Sequence, residues 1–326
     1  MRDVLVKAKA KMGRLPDNEL YLALANESNI DKKIDILSKA YPEIDNRKNK
    51  RALEADNFNY MFSELKSIDY FLRGLESEFF NLYFSKYEIL FLQEVIESLV
   101  NKNYKRNYVS FTASPLSKEF ILTEDMDLES FVNMNKSSKY YRILLPFLNE
   151  NMEAESIIFL SSNALIKFYY RNLLKLAKKF NSKERKQIEK FLGEEINLLN
   201  FEMLYRLKSY YNRNDGDVFN YLIAGGNTYN GQRLKELAEM SKIDFLEKMS
   251  DSKYKHIFDD YTHTHKEIRK RELKLYYGEI TKQECDILYV ISAMNIMFIS
   301  EENIEALLEV DDSFTVEEAM EYLIVR

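Results

Sequence analysis

The sequence has little of what reverses or cross-links a chain. Its 326 residues include only 4 Pro and 8 Gly, whereas an all-β protein of this length needs many turn residues. Long helices are the expectation. A single cysteine, Cys285, excludes an internal disulfide and fits a reducing compartment. Positive charge is not in excess. Lys and Arg number 47 against 53 Asp and Glu, for a net charge of −6 and a pI near 5.5. That balance argues against nucleic acid as a partner, because such binding depends on clustered cations that release counterions. Local basic runs, Arg47-Lys48-Asn49-Lys50-Arg51 and Lys178-Lys179, read as solvated helix faces. No stretch approaches the roughly 18 unbroken apolar residues of a membrane span; the nearest, 291–299, is short and contains Ser292 and Asn295. Nor does the start of the chain have the charged, apolar and small-residue order of a signal peptide. These absences lead to the expectation of a cytoplasmic protein that inserts in no membrane and meets a membrane complex only from outside.

What is present suffices for a folded core: 46% of the residues are hydrophobic and 31% charged, so disorder is not expected. The length allows two or three domains or one array of similar units. Helical patterns cover 4–15, 18–25, 30–41, 46–83 and 88–100, the fourth keeping Phe58, Met61, Phe62, Leu65, Ile68 and Phe71 on an apolar face. Asn181 with Glu184, Thr281 with Glu284, and Thr315 with Glu318 read as helix N-caps.

Internal repetition organises the rest. Residues 127–143 lie over 241–257 without a gap: Phe131 over Phe245, Ser138-Lys139-Tyr140 over Ser252-Lys253-Tyr254, and Ile143 over Ile257. A fainter copy, 34–41, keeps a hydrophobic run and Tyr41. A long aromatic-rich helix follows each unit, at 46–83, 152–180 and 254–277, and a shorter motif helix closes each copy. The division is into three helical repeats of about 110 residues, a size typical of a small domain: 1–105, 106–219 and 220–326.

The second motif helix, 193–211, is the most informative stretch. At 100° per residue Ile196, Leu199, Met203 and Leu207 form an apolar stripe, widened by Leu204, and Asn200 falls in its middle. Two readings of Asn200 stand side by side: a buried amide bonded to a neighbouring helix or loop, or a residue that faces, with Arg206, another protein of the same assembly.

Other stretches with chemically capable residues fall short of a site. The glycine-rich loop 224–231 ends in Gly231-Gln232-Arg233 rather than the Gly-Lys-Ser/Thr of a phosphate loop and reads as a turn between repeats. His263 and His265 are two apart, so on a helix they face different ways, and with His256, Asp259, Asp260 and Glu267 they read as a polar helix face, not a metal site. Paired carboxylates such as Glu194-Glu195, Glu301-Glu302 and Asp311-Asp312 occur without a nucleophile elbow, triad order or zinc signature. No catalytic residue, metal site or cofactor is expected.

The order Ile196-Asn197-Leu198-Leu199-Asn200-Phe201 followed by Arg206-Leu207-Lys208 resembles a signature of the C (or d, also called AC39) subunit of V-type and A-type rotary ATPases. The likeness extends along the chain through the three repeats and the glycine-containing loop before the third. It implies an all-α fold of three similar helix bundles about a pseudo-threefold axis, shaped as a funnel. It also implies a non-catalytic central-rotor component, one copy per complex, that links the D and F subunits of the central stalk to the membrane ring of c (K) subunits and transmits torque for ATP-coupled proton or sodium transport. Asn197, Asn200, Arg206 and Lys208 are the residues that the motif carries over as contacts with other subunits. The first motif copy departs from it with Phe91 and Glu97, and the third with Tyr289-Val290-Ile291, the mark of a divergent member. A helical scaffold or adaptor unrelated to a rotary ATPase is the alternative, and it predicts a shorter repeat period, near 34 residues, which the sequence lacks.

Overall fold

Few breakers and local caps produce a chain of helices. A computed structural model describes residues 2–41, 50–149, 151–210, 217–259 and 263–325. Among them no strand occurs. In chain order the helices are α1 (Arg2–Met12), α2 (Asn18–Ala25), α3 (Ile30–Ala40), α4 (Lys50–Asp69), α5 (Gly74–Phe84), α6 (Lys86–Val100), α7 (Tyr104–Ala113), α8 (Leu128–Met134) and α9 (Tyr141–Leu144). They continue with α10 (Ala154–Ala177), α11 (Ser182–Tyr210), α12 (Asp217–Tyr221), α13 (Gly231–Glu239), α14 (Lys242–Ser250), α15 (Thr264–Lys282), α16 (Asp286–Glu309) and α17 (Val316–Glu321). The chain divides into two units, Gly74–Phe245 and, from its two ends, Met1–Arg73 with Leu246–Arg326.

In the unit built from the two ends, α16 is the centre. It packs against α1, α2, α4 and α15 and is buried on all sides from Ile287 to Ser300. A second cluster joins Tyr21, Leu24, Leu37, Leu307 and Ala319 from α2, α3, α16 and α17 with Leu323, just beyond α17. In the middle unit α10 packs against α5, α6 and α11. Its core is aromatic: Phe91 meets Phe111 and Phe120, each at 5.9 Å between ring centroids, and Tyr140 meets Phe168 at 6.0 Å. Each such ring removed from water contributes about 1.5–3 kcal/mol.

Three expectations change. The pattern over 46–83 is two helices, α4 and α5, because i to i−3 bonds tighten residues 68–72 and Gly74, the first residue of α5, takes a left-handed φ of 55° that a continuous helix does not contain; apolar residues run through the turn, so periodicity does not register it. Its beginning, with the basic run 47–49, lies outside the described residues, as does the side chain of Phe58. Thr281 is no N-cap: it lies in the last turn of α15, where its hydroxyl donates to the Tyr277 carbonyl at 2.8 Å, and Cys285 occupies the N-cap position of α16, its side chain making no capping bond to the first turn. The pattern over 254–277 is a short 3-10 turn, Lys255–Phe258, and then α15, with 260–262 outside the described residues. By contrast, Asn181 accepts from the Lys183 and Glu184 amides at 3.1 Å each, and Thr315 with Glu318 forms a full capping box.

The aligned stretches share their local geometry. Asp127 accepts from the Ser130 amide and Ser241 from the Asp244 amide; Ser138 Oγ accepts from Tyr140 N and Ser252 Oγ from Tyr254 N. Phe131, Phe245, Tyr140 and Tyr254 are all buried. Lys139 lies 5.0 Å over the Tyr140 ring and Lys253 4.7 Å over that of Tyr254.

Candidate functional site

The signature residues converge on one structure inside the middle unit, the seating of loop 222–230 along α11. Asn200, 1% exposed, bonds Ile223 in both directions: its Nδ2 donates to the Ile223 carbonyl at 2.8 Å and its Oδ1 accepts the Ile223 amide at 2.7 Å. One turn earlier Asn197, fully buried, donates to the Asn227 side chain and accepts from the Tyr229 amide at 3.4 Å. A turn earlier again, the Gly193 carbonyl accepts the Asn227 amide at 3.2 Å. The approach is close: a Cβ on Gly193 would stand 2.8 Å from both Cβ and N of Asn227, and one on Gly226 would stand 2.3 Å from Asn197 Oδ1. The Phe201 ring meets Tyr229 edge-on at 5.3 Å. Residues 193, 197, 200 and 201 therefore act as successive rungs along one side of the helix.

Lys208 extends the seating to the next helix. Its ammonium, 3% exposed, donates to the carbonyls of Ala238, at 2.8 Å, and Met240, at the C-terminal end of α13. Those carbonyls have no partner within their own helix, and the helix dipole places partial negative charge there. Burial pushes the Lys208 pKa down to about 8. Arg206, two residues earlier, is exposed. Of the four residues taken from the motif, then, three hold the loop and the following helix from inside, and Arg206 reaches the surface. Leu199 and Met203, expected in the apolar stripe, are half-buried, while Leu198 and Phe201 are buried: α11 is enclosed on more than one side.

Sequence reading does not find the partner side. Ile223 and Asn227 sit in a loop with no period, and only Asn200's place among aliphatic residues signals that some backbone must meet it. Two further amides do the same work without such a signal: Asn135 bonds Ile121 in both directions, and Asn303 does so with Ile324. Lys33, fully buried, donates to the carbonyls of Leu307, at 2.6 Å, and Val310, at 2.5 Å, repeating at the end of α16 what Lys208 does at the end of α13.

The chemistry of this arrangement is structural. Its amides and carbonyls are used by one another, and no nucleophile stands against a base within it. Elsewhere His256 Nδ1 lies 2.9 Å from Asp259, and no group of three or more His, Cys, Asp or Glu able to hold a metal occurs among the described residues.

A family model described as the ATP synthase (C/AC39) subunit matches residues 4–321. The chain belongs to that family. The C subunit of the A-type ATP synthase of Methanosarcina acetivorans is 26% identical over 157 residues, a stretch that spans 48% of this chain and 39% of that protein. Against the C/AC39 pattern the chain is divergent, and its departures have local reasons. Phe91 in α6 packs into the aromatic core described above, and Tyr289, Val290 and Ile291 in α16 are buried. Among the three motif helices only α11 sets amides against a loop at these places.

Proposed function

We propose that the chain is the non-catalytic central-rotor component of a V-type (A-type) ATPase, a socket that joins the central stalk to the membrane c (K) ring and transmits torque for ATP-coupled proton or sodium transport. The observation that carries this reading is the family match over residues 4–321. In it, one copy per complex lies on the cytoplasmic face of the membrane and meets the D and F subunits of the stalk on one side and the ring on the other. The chain is divided into repeats 1–105, 106–219 and 220–326, arranged as a funnel about a pseudo-threefold axis; the common geometry of 127–143 and 241–257 supports that division. A part that carries torque has to resist deformation, and buried, mutually bonded amides stiffen the helix and loop that bear the family signature. Arg206, being exposed, touches a neighbouring subunit directly, whereas Asn197, Asn200 and Lys208 act by holding loop 222–230 in the form its partner meets.

The test is to tag the chain in its own cell, solubilise membranes in mild detergent and identify what co-purifies. Recovery of the catalytic A and B subunits, stalk D and F and the ring proteolipid is expected, with Arg206→Glu weakening that recovery while leaving the isolated chain's melting temperature unchanged. A tagged chain recovered free of every rotary component would sink the reading.

A further inference from the structure

One end of the unit built from the chain termini exposes apolar rings beside fixed cations. Helices α1 and α4 run antiparallel there: Lys7 Nζ donates to the Ser67 carbonyl at 3.1 Å, and Lys11 pairs with Glu64. The start of α1 therefore lies beside the turn 70–73. Val6 is 62% exposed, Tyr70 71% and Phe71 37%, and the two rings meet edge-on at 5.3 Å. Lys7 lies 5.0 Å over Phe71, and the Arg73 guanidinium lies 5.8 Å over Tyr70. Arg73 is also pinned to its own turn, Nη1 donating to the carbonyls of Leu72, at 2.7 Å, and Tyr70, at 2.5 Å, so a planar cation is held in place while further N–H donors of its fork remain.

The charge around this end is positive in a chain that is negative as a whole. Arg2, Lys7, Lys66 and Arg73 stand against Asp3 and Asp69, and Lys9 continues along α1. Rings with one wet side, flanked by cations, match the composition by which proteins rest at a bilayer interface: the aromatic sits at headgroup level and the cations meet anionic phosphates. A protein partner would need a broad face of about 800 Å² per side. Three protruding side chains at a helix start and a turn suit a deformable headgroup layer better.

We infer that Val6, Tyr70 and Phe71, with Lys7 and Arg73, form a tip that contacts the surface of an anionic lipid bilayer. This goes beyond the rotor reading, since a protein bound to other subunits needs no lipid contact of its own. The contact is superficial and leaves α1 and α4 folded as they are. Each cation close to an anionic surface raises binding about fivefold, and the interaction weakens as salt shortens the screening length.

The test is flotation of the purified full chain with vesicles of phosphatidylcholine alone or mixed with phosphatidylglycerol, at low and high salt. The expected result is binding to the mixed vesicles only, reversed by salt, about fivefold weaker for Arg73→Gln and also reduced for Tyr70→Ser. Melting curves of both variants control for folding, and Tyr70→Ser is chosen because that ring is mostly in water. No flotation with mixed vesicles, equal flotation with neutral ones, or Tyr70→Ser and Arg73→Gln both binding like the parent overturns the inference. If poly-glutamate binds the chain and vesicles do not, the tip serves an acidic polypeptide and the lipid proposal fails. Flotation uses the chain alone and the rotor reading is tested by co-purification, so each can fail without the other.

Discussion

At the scale of single residues, buried polar side chains do the joining in this protein, and most are matched to backbone rather than to another side chain. Asn200 meets both polar groups of Ile223, so Asn200→Leu leaves a buried amide and a buried carbonyl together without partners. A loss of about 2–4 kcal/mol is expected from two such groups, measured by urea unfolding; a loss below about 1 kcal/mol would mean that water replaces the side chain. Lys208 gives a second readout, in pH. Burial lowers its pKa to about 8 from an ordinary 10.5, so the folded state gives up the proton before the unfolded state does. The cost of burying the cation is complete below about pH 8 and is relieved as pH rises towards 10.5, so stability increases across that window. The neutral amine still has two hydrogens for the carbonyls of Ala238 and Met240. The stability difference between the parent and Lys208→Met is therefore expected to grow in the parent's favour from pH 8 to 10.5; a difference that stays level contradicts the assignment.

At the scale of elements, packing overrides propensity in α11. Alanine is the better helix former than glycine by about 1 kcal/mol in a helix interior. In α15 that preference is free to act: a Cβ on Gly278 would meet nothing nearer than Lys282 Nζ at 3.9 Å, and Gly278→Ala is expected to stabilise the chain by about 0.5–1 kcal/mol. In α11 the same change collides with Asn227, main chain included, at 2.8 Å, and pushing the loop away costs about 1–3 kcal/mol. Gly193→Ala is therefore expected to lower the melting temperature where Gly278→Ala raises it. Two shifts of the same sign would show that loop 222–230 yields easily and is not seated as described. Helix α16 is a further case in which context decides: by length and hydropathy it could cross a membrane, yet 89% of its apolar window is buried within the protein, and it packs against α1, α2, α4 and α15.

At the scale of the whole molecule, the all-helical class and the family are legible without coordinates, because both rest on properties that are local in the chain. Scarce Pro and Gly, caps such as Thr315 with Glu318, and the repeat of Phe, Ser-Lys-Tyr and Ile at constant spacing are set by neighbours a few residues apart, and the structure gives those repeats the same hydrogen bonds. The signature of α11 points to a place, and its amide among aliphatics points to an unseen partner. What the partner is cannot be read, since a single amide states only that some donor and acceptor must meet it, and Ile223 lies 23 residues further on in a loop without period. The break at 70–73 is hidden for a similar reason: the apolar pattern continues through it, and a left-handed glycine leaves no mark on periodicity. The same holds for Lys33 and Lys208, which composition assigns to solvent and which only the arrival of a helix end from elsewhere makes internal. The sequence by itself thus determined that the chain is helical, where caps such as those at Asn181 and Thr315 fall and which family it belongs to, because those depend on short-range energies. Tertiary structure alone decided which polar groups are inside, which helix is core and which apolar rings stay in water, because each of those depends on segments far apart in the chain filling the same space.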